Sequence, residues 1–152
     1  MDRTVILAFT GGLQSSVCLH WLVHRRRVRV AAVVIELGQQ IPTWELGEYA
    51  VELGATGAHV EDCREEFVED YAFRALRASA VYEKSYLLSG ALTRPLIAAG
   101  VARMAREEGA KSVALGAVTR SNDLARFRWN VGVLAPELEI IGPDEIPPLQ
   151  SR

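Results

Sequence analysis

Short apolar, β-branched runs alternate with segments of helical spacing along almost the whole chain, and that alternation leaves few folds open to it. Residues 4–9 read as a buried strand, 28–37 as a second, 57–62 as a short third, 111–118 as a fourth and 138–143 as a weaker fifth. Between the first two strands, residues 15–26 carry Val17, Leu19, Leu22 and Val23 at near-helical spacing, with Ser15 or Ser16 as a cap. Residues 43–55 offer Thr43 as an N-cap and Gly54 as a stop, and residues 64–82 set Phe67, Tyr71 and Leu76 on one amphipathic face. A further helix spans 92–110 and ends at Gly109, whereas 119–129 read as a loop. Strand and helix in alternation build parallel sheets with right-handed crossovers. The expectation is therefore an α/β, doubly wound parallel sheet of about five strands with helices on both faces, Rossmann-like.

Composition narrows the class. The chain has 152 residues, enough for one domain with a sizeable core. The domain is expected over 1–143, with a proline-rich tail at 144–152. A net charge of −2 provides no basic field for nucleic acid, so none is expected as a partner. No apolar stretch approaches the ~20 residues that span a bilayer, and no long leader-like run opens the sequence, so no membrane association is expected. The two cysteines, Cys18 and Cys63, lie far apart, which argues against a disulfide scaffold or zinc site and suits a reducing cytoplasm. Cys18 is expected to be a small core residue, while Cys63, beside Asp62 at a strand end, is the one candidate for a reactive thiol. His20 and His24, with Arg25, Arg26 and Arg27, read as a solvated helix end favourable to the dipole.

In open α/β sheets ligands bind beyond the carboxyl ends of the strands. Three stretches fall there: the loop at 10–16, the turn after Ile35 and the loop after Leu115. The first, within "AFTGGLQSS", is the most informative. Gly11 and Gly12 permit a sharp turn from strand into helix. Consecutive amides in such a turn point inward, and the first helical turn adds unpaired N–H groups with partial positive charge. Thr10, Ser15 and Ser16 add hydroxyls. Together these make a site for an anion, phosphate above all. The alternative is a plain tight turn with a serine cap. The stretch has neither the Gly-Lys-Ser/Thr of a Walker loop nor the spacing of G-x-G-x-x-G.

The same stretch is similar to the PP-loop of N-type ATP pyrophosphatases, Ser-Gly-Gly-x-Asp-Ser/Thr. The chain more specifically resembles the N-terminal nucleotide-binding domain of the argininosuccinate synthase family. "ELGQ" at 36–39 resembles that family's Asp-Leu-Gly-Gln; "ELGA", "REEFVEDYAFRAL" and "VYEKSYLLSGALTRPLIA" follow at its spacing, and "LGAVTRSNDLARF" stands where it has His-Gly-x-Thr-Gly-Lys-Gly-Asn-Asp-Gln-x-Arg-Phe. The match covers about 4–143. The resemblance implies an adenine nucleotide alpha hydrolase-like fold. It also implies ATP as the ligand and an adenylate-forming C–N ligation, in which ATP yields AMP and pyrophosphate. The acceptor is a ureido or carboxylate group, and an amino-acid amine then displaces AMP.

Carried over by position, the resemblance assigns ATP to Ala8, Phe9, Thr10, Gly11, Gly12, Gln14, Ser15, Ser16, Glu36 and Gly116. It assigns the amino-acid-like substrate to Tyr86, Arg94, Thr119, Asn122, Asp123 and Arg126. No catalytic residue follows from it. Several positions depart from the pattern. Gln14 replaces an acidic residue that would organise magnesium, so Mg2+ is in doubt although the family uses it. Ala91 stands where a substrate hydroxyl is usual, Val118 replaces a threonine and Leu115 a histidine. The family's second, synthetase domain is not among these residues. A homo-oligomer or a separate synthetase-like chain is therefore the expected partner for completing the site. The alternative is a degenerate, non-catalytic nucleotide-binding or regulatory module.

Overall fold

The computed structural model describes residues 4–118 and 121–147. Its centre is a five-stranded parallel sheet. In chain order the elements begin with β1 (Thr4–Ala8), α1 (Leu13–His24), β2 (Arg29–Glu36), α2 (Thr43–Glu52) and β3 (Gly57–Asp62). A continuous helical stretch follows, made of α3 (Arg64–Glu66), one π-helical segment (Phe67–Ala72) and α4 (Phe73–Arg77). A small antiparallel hairpin, β4 (Val81–Tyr82) and β5 (Tyr86–Leu87), leads into the long α5 (Ser89–Glu107). The chain closes with β6 (Ser112–Leu115), α6 (Asn122–Leu134), β7 (Glu139–Ile141) and a 3-10 turn at Pro143–Glu145.

The strand order is β3-β2-β1-β6-β7. The winding reverses between β1 and β6, which opens a crevice at their carboxyl ends. Because side chains alternate along a strand, each central strand feeds two core layers. Ile6, Ala8, Val33 and Ile35 face Leu96, Ile97 and Val101 of α5 and Leu124, Phe127 and Val131 of α6. Val5, Leu7, Phe9, Ala32 and Val34 face Cys18, Leu19 and Leu22 of α1 and Leu46 and Ala50 of α2. The doubly wound sheet with helices on both faces expected from the sequence is the fold observed.

Local expectations are corrected in four places. The first helix starts at Leu13, earlier than residue 15, with Gly12 as N-cap and no side chain capping it. Thr43 is the first residue of α2 and not its cap. The helix expected over 64–82 stops at Arg77, and Val81–Tyr82 turns into the hairpin. The loop expected over 119–129 is largely helix: from Asn122 onward it is α6, capped by the Ser121 hydroxyl, which accepts from the Leu124 N–H at 3.2 Å. Residues beyond Pro143 begin by packing inward, with Ile146 fully buried against the α1 layer. Residues 148–152 lie outside the described residues.

Candidate functional site

The turn after β1 is built by two close approaches. Gly11 sits at φ +71, a conformation that L side chains rarely adopt, and Leu46 of α2 occupies the space a Cβ would need. Gly116, just past β6, lies against the start of α1: a Cβ there would come 2.5 Å from the Ser15 nitrogen and 2.6 Å from the Gln14 oxygen. The sheet's switch point is thereby closed down onto the first turn of α1.

Ser15 is the clasp of this loop. Its hydroxyl donates to the Gly12 carbonyl at 3.0 Å. Its oxygen accepts from the Thr10 N–H at 3.4 Å. Since its single proton is committed to Gly12, the Thr10 hydroxyl is the donor in the 3.2 Å contact between the two side chains. Ser16 differs: its Oγ is buried with no hydrogen-bond partner. The first N–H groups of α1 have no helical acceptor by geometry, and no side chain caps them. The result is a cluster of unspent donors at the positive end of a twelve-residue helix.

A pocket of about 600 Å3 opens beside the loop. Ala8, Phe9, Val33, Ile35, Ile97 and Phe67 give it an apolar interior, while Thr10, Gln39, Ser89, Thr93 and Arg94 supply polar groups. Phe67 reaches it from the π-helical segment, an irregularity common near functional sites. The β2–α2 turn on its rim is pinned by side chains. Gln39 accepts from the Leu37 N–H at 2.7 Å and donates to the Ile35 carbonyl at 2.9 Å. Glu36 accepts from the Gly38 N–H at 2.7 Å and from the Thr43 hydroxyl at 2.8 Å, so each carboxylate oxygen already holds the turn together.

On the other side of the pocket, α5 presents Arg94 to Asp123 of α6, with Arg94 Nη2 donating to Asp123 Oδ2 at 2.7 Å. Arg126 Nη1 lies 3.8 Å from Asp123 Oδ1. The Arg94 hydrogen bond holds the Asp123 carboxyl below the usual carboxylate range, partly opposed by burial and helped by the charges of Arg94 and Arg126.

Ala8, Phe9, Thr10 and Arg94, expected at the site from the sequence, all line the pocket. Gly11, Gly12, Gln14, Ser15, Ser16 and Gly116 form the loop and its support beside it. Asp123 and Arg126 join through Arg94, with Asn122 exposed at the start of the same helix. Tyr86 stands apart: it is 56% exposed on the hairpin, its hydroxyl 3.7 Å from where a Cβ would project from Gly90. Thr119 lies outside the described residues. Sequence reasoning missed Ser89, Thr93, Phe67 and Ile41 as pocket walls. Ser89 and Thr93 could have been inferred, because a helix following this sheet presents its first turns at the ligand edge.

The loop's donors are hydroxyls, an amide side chain and backbone N–H groups. No acidic residue lies in the first turn of α1, and Gln14 is neutral. Among the described residues no group of three or more His, Cys, Asp or Glu converges as a cation site. The donor set suits phosphate oxygens and gives magnesium no carboxylate. Cys63 is 2% exposed, and burial, reinforced by Glu61 and Glu66, pushes its thiol up to about 11, which disfavours the one candidate for a reactive thiol. Cys18 is fully buried and pushed up to about 12, as a core residue should be. No described helix is long and apolar enough to cross a membrane.

A family model described as "Arginosuccinate synthase N-terminal HUP domain" matches residues 4–146. The argininosuccinate synthase of Pelotomaculum thermopropionicum is 47% identical over 139 residues, covering 91% of this chain and 35% of that protein. That of Caldanaerobacter subterraneus is 40% identical over 148 residues, covering 97% and 36%. The chain thus spans little more than a third of the length of these relatives. Among solved structures, a predicted subunit of tRNA methyltransferase from Methanocaldococcus jannaschii matches with a TM-score of 0.55 at 17% identity, covering 93% of this chain and 67% of that one. NAD+ synthetase from Burkholderia pseudomallei matches with a TM-score of 0.51 at 18% identity, covering 88% and 66%. At such identities these two likenesses concern the fold alone.

Proposed function

Since the chain belongs to the argininosuccinate synthase family through its N-terminal domain, we propose that it binds ATP and takes part in adenylate-forming C–N ligation. In that reaction ATP yields AMP and pyrophosphate, on a ureido or carboxylate substrate that an amino-acid amine then attacks. The observation that carries this reading is the uncapped start of α1, with the unpartnered Ser16 Oγ, beside an apolar pocket of about 600 Å3.

The walls formed by Ala8, Val33, Ile35 and Phe67 would take the adenine ring, and the first-turn amides of α1 with the Ser16 hydroxyl the phosphates, beside Thr10. Amides fixed in place before the reaction stabilise charge as it develops on departing pyrophosphate, without reorganisation. Asp123, kept ionised by Arg94, would accept from an amino-acid ammonium, with Asn122 and Arg126 beside it. Tyr86 and Thr119 are proposed as further substrate contacts. Holding both reactants at one sheet edge supplies the remaining advantage. The loop itself provides no carboxylate for magnesium.

The matched region is 35–36% of the relatives' own length. A second copy or a synthetase-like chain is the proposed partner on the substrate side. The exposed apolar side chains Phe73, Leu76, Tyr82 and Leu87, on the α4 and hairpin stretch that runs from the pocket's Phe67 to Ser89, favour such a partner. The neutral Gln14 favours a second reading, a module that binds nucleotide without turning it over. Calorimetry with ATP and AMP, with and without Mg2+, tests the first step; binding of both nucleotides is expected. Absence of any affinity would overturn both readings. Pyrophosphate release with citrulline and aspartate, in the presence of candidate partner chains, separates them: release supports ligation, and binding without release supports the module.

A further inference from the structure

Arg94 touches two things at once. It is a wall of the nucleotide pocket, and it is the clamp on Asp123. We infer that Arg94 is a positioning residue that couples the two ligand sites, transmitting occupancy of the adenine pocket to the Asp123 carboxylate and so to the amine that Asp123 would hold. The inference rests on the two-site reading above and adds a connection between the sites.

The geometry favours a coupler over a plain tie between helices. Arg94 and Asp123 lie 29 residues apart, on α5 and α6, and among the described residues no other hydrogen bond or ion pair reaches Asp123 from outside α6. A guanidinium carries five N–H donors in a rigid fork. Here one Nη2 bond is short, the Nη1 contact to Thr93 Oγ1 is a marginal 3.5 Å, and Nε is buried with no partner. Arginine–carboxylate pairs are frequently bidentate; what sets Arg94 apart is its place in the pocket wall together with an unpartnered Nε. This one holds Asp123 by one arm and keeps donors unspent within the pocket wall. An acceptor entering the pocket would draw on those donors and change the arm that holds Asp123.

Side-chain carboxyl NMR on protein labelled at aspartate reads this directly, with AMP as the pocket probe and L-aspartate as the amine probe. In the native protein, AMP should move the Asp123 signal, and AMP should change the affinity for L-aspartate by at least about 5-fold, the lower end of ordinary site-to-site coupling. In Arg94→Met, which keeps the length of the stem, AMP should bind more weakly; at saturating AMP, Asp123 should no longer respond and the coupling factor should fall to about 1. Arg94→Lys, which keeps the charge without the fork, should restore part of the response. An Asp123 signal indifferent to AMP in the native protein overturns the coupling, as does a coupling factor equal in native protein and Arg94→Met. If Arg94→Met fails to fold, the native measurement still overturns the coupling when Asp123 is indifferent to AMP, and a coupling factor in Arg94→Lys equal to the native one overturns the role of the Arg94 fork. Failure of AMP to bind the native protein at all removes the pocket reading itself, an outcome distinct from AMP binding that leaves Asp123 unmoved.

Discussion

At the scale of single residues, the site depends on an absent side chain and a neutral one. Gly116 lets the end of β6 lie on the first turn of α1, where a methyl group would press on the Ser15 backbone. Backbone cannot rotate aside as a flexible side chain can, so Gly116→Ala should cost about 1–3 kcal/mol through overpacking. It should also weaken ATP binding by displacing the N–H groups proposed to face the phosphates. Urea unfolding and ATP calorimetry on the variant check both effects; unchanged affinity in a destabilised protein would detach Gly116 from the ligand. Gln14 is exposed in the same turn and brings no charge. Gln14→Asp places a hard anionic ligand there, so ATP binding should become more dependent on Mg2+, with weaker binding in EDTA from repulsion of the phosphates. Identical titrations of the two proteins, with and without Mg2+, would mean that position 14 does not face the metal.

At the scale of elements, α6 is the informative case. Its first turn carries Asp123, and its start is fixed by the Ser121 hydroxyl accepting from the Leu124 N–H. Ser121→Ala should therefore cost about 1 kcal/mol, the usual loss for an N-cap. It should also broaden the Asp123 carboxyl signal by fraying the turn that holds it. A loss of stability with an unaltered Asp123 signal would show that Arg94 alone fixes the carboxylate. The sequence made the central sheet legible because its strands are buried on both faces and so appear as unbroken apolar runs, as in residues 4–9 and 28–37. The α6 segment was less legible because polar turn-formers precede it, although Leu124, Phe127 and Val131 carry a helical spacing. The hairpin was illegible for another reason. Its strands have two residues each, too few to show a period, and its turn places Glu83 and Lys84 at φ 49 and 64, a conformation ordinarily announced by Asn-Gly or Asp-Gly. The glycine-rich loop could be read from residue types alone. The Ser15 clasp, and the spending of Glu36 on the α2 turn, depend on side-chain directions that no residue pattern specifies.

At the scale of the whole molecule, the sheet is covered on both faces by apolar layers, so its central strands respond to pH only indirectly. Acid sensitivity is expected instead from aspartates whose ionised form an arginine favours. Asp62 is held at about 2, first by the side-chain hydrogen bond from Arg64 and then by the Arg64 backbone N–H. Asp123 is lowered chiefly by the hydrogen bond from Arg94. Both folded-state values lie below that of an unfolded aspartate, about 3.9. Between that value and the folded one, the unfolded chain binds protons that the folded chain refuses, so stability must fall as the pH falls. The contribution of each pair is therefore fully present at neutral pH and shrinks as the pH drops through about 4, in the case of Asp62 down to about 2. Urea midpoints measured from pH 7 to pH 2 should show no slope from these two groups above about pH 5 and a decline below it. Arg64→Met and Arg94→Met should each remove part of that decline, and salt should reduce the Arg64 share more, since Asp62 is the more solvent-exposed partner. An acid limb of the same slope in native protein and both variants would place the acid sensitivity elsewhere in the chain. A flattening confined to Arg94→Met would tie it to the α5–α6 clamp, the same contact proposed to join the two ligand sites.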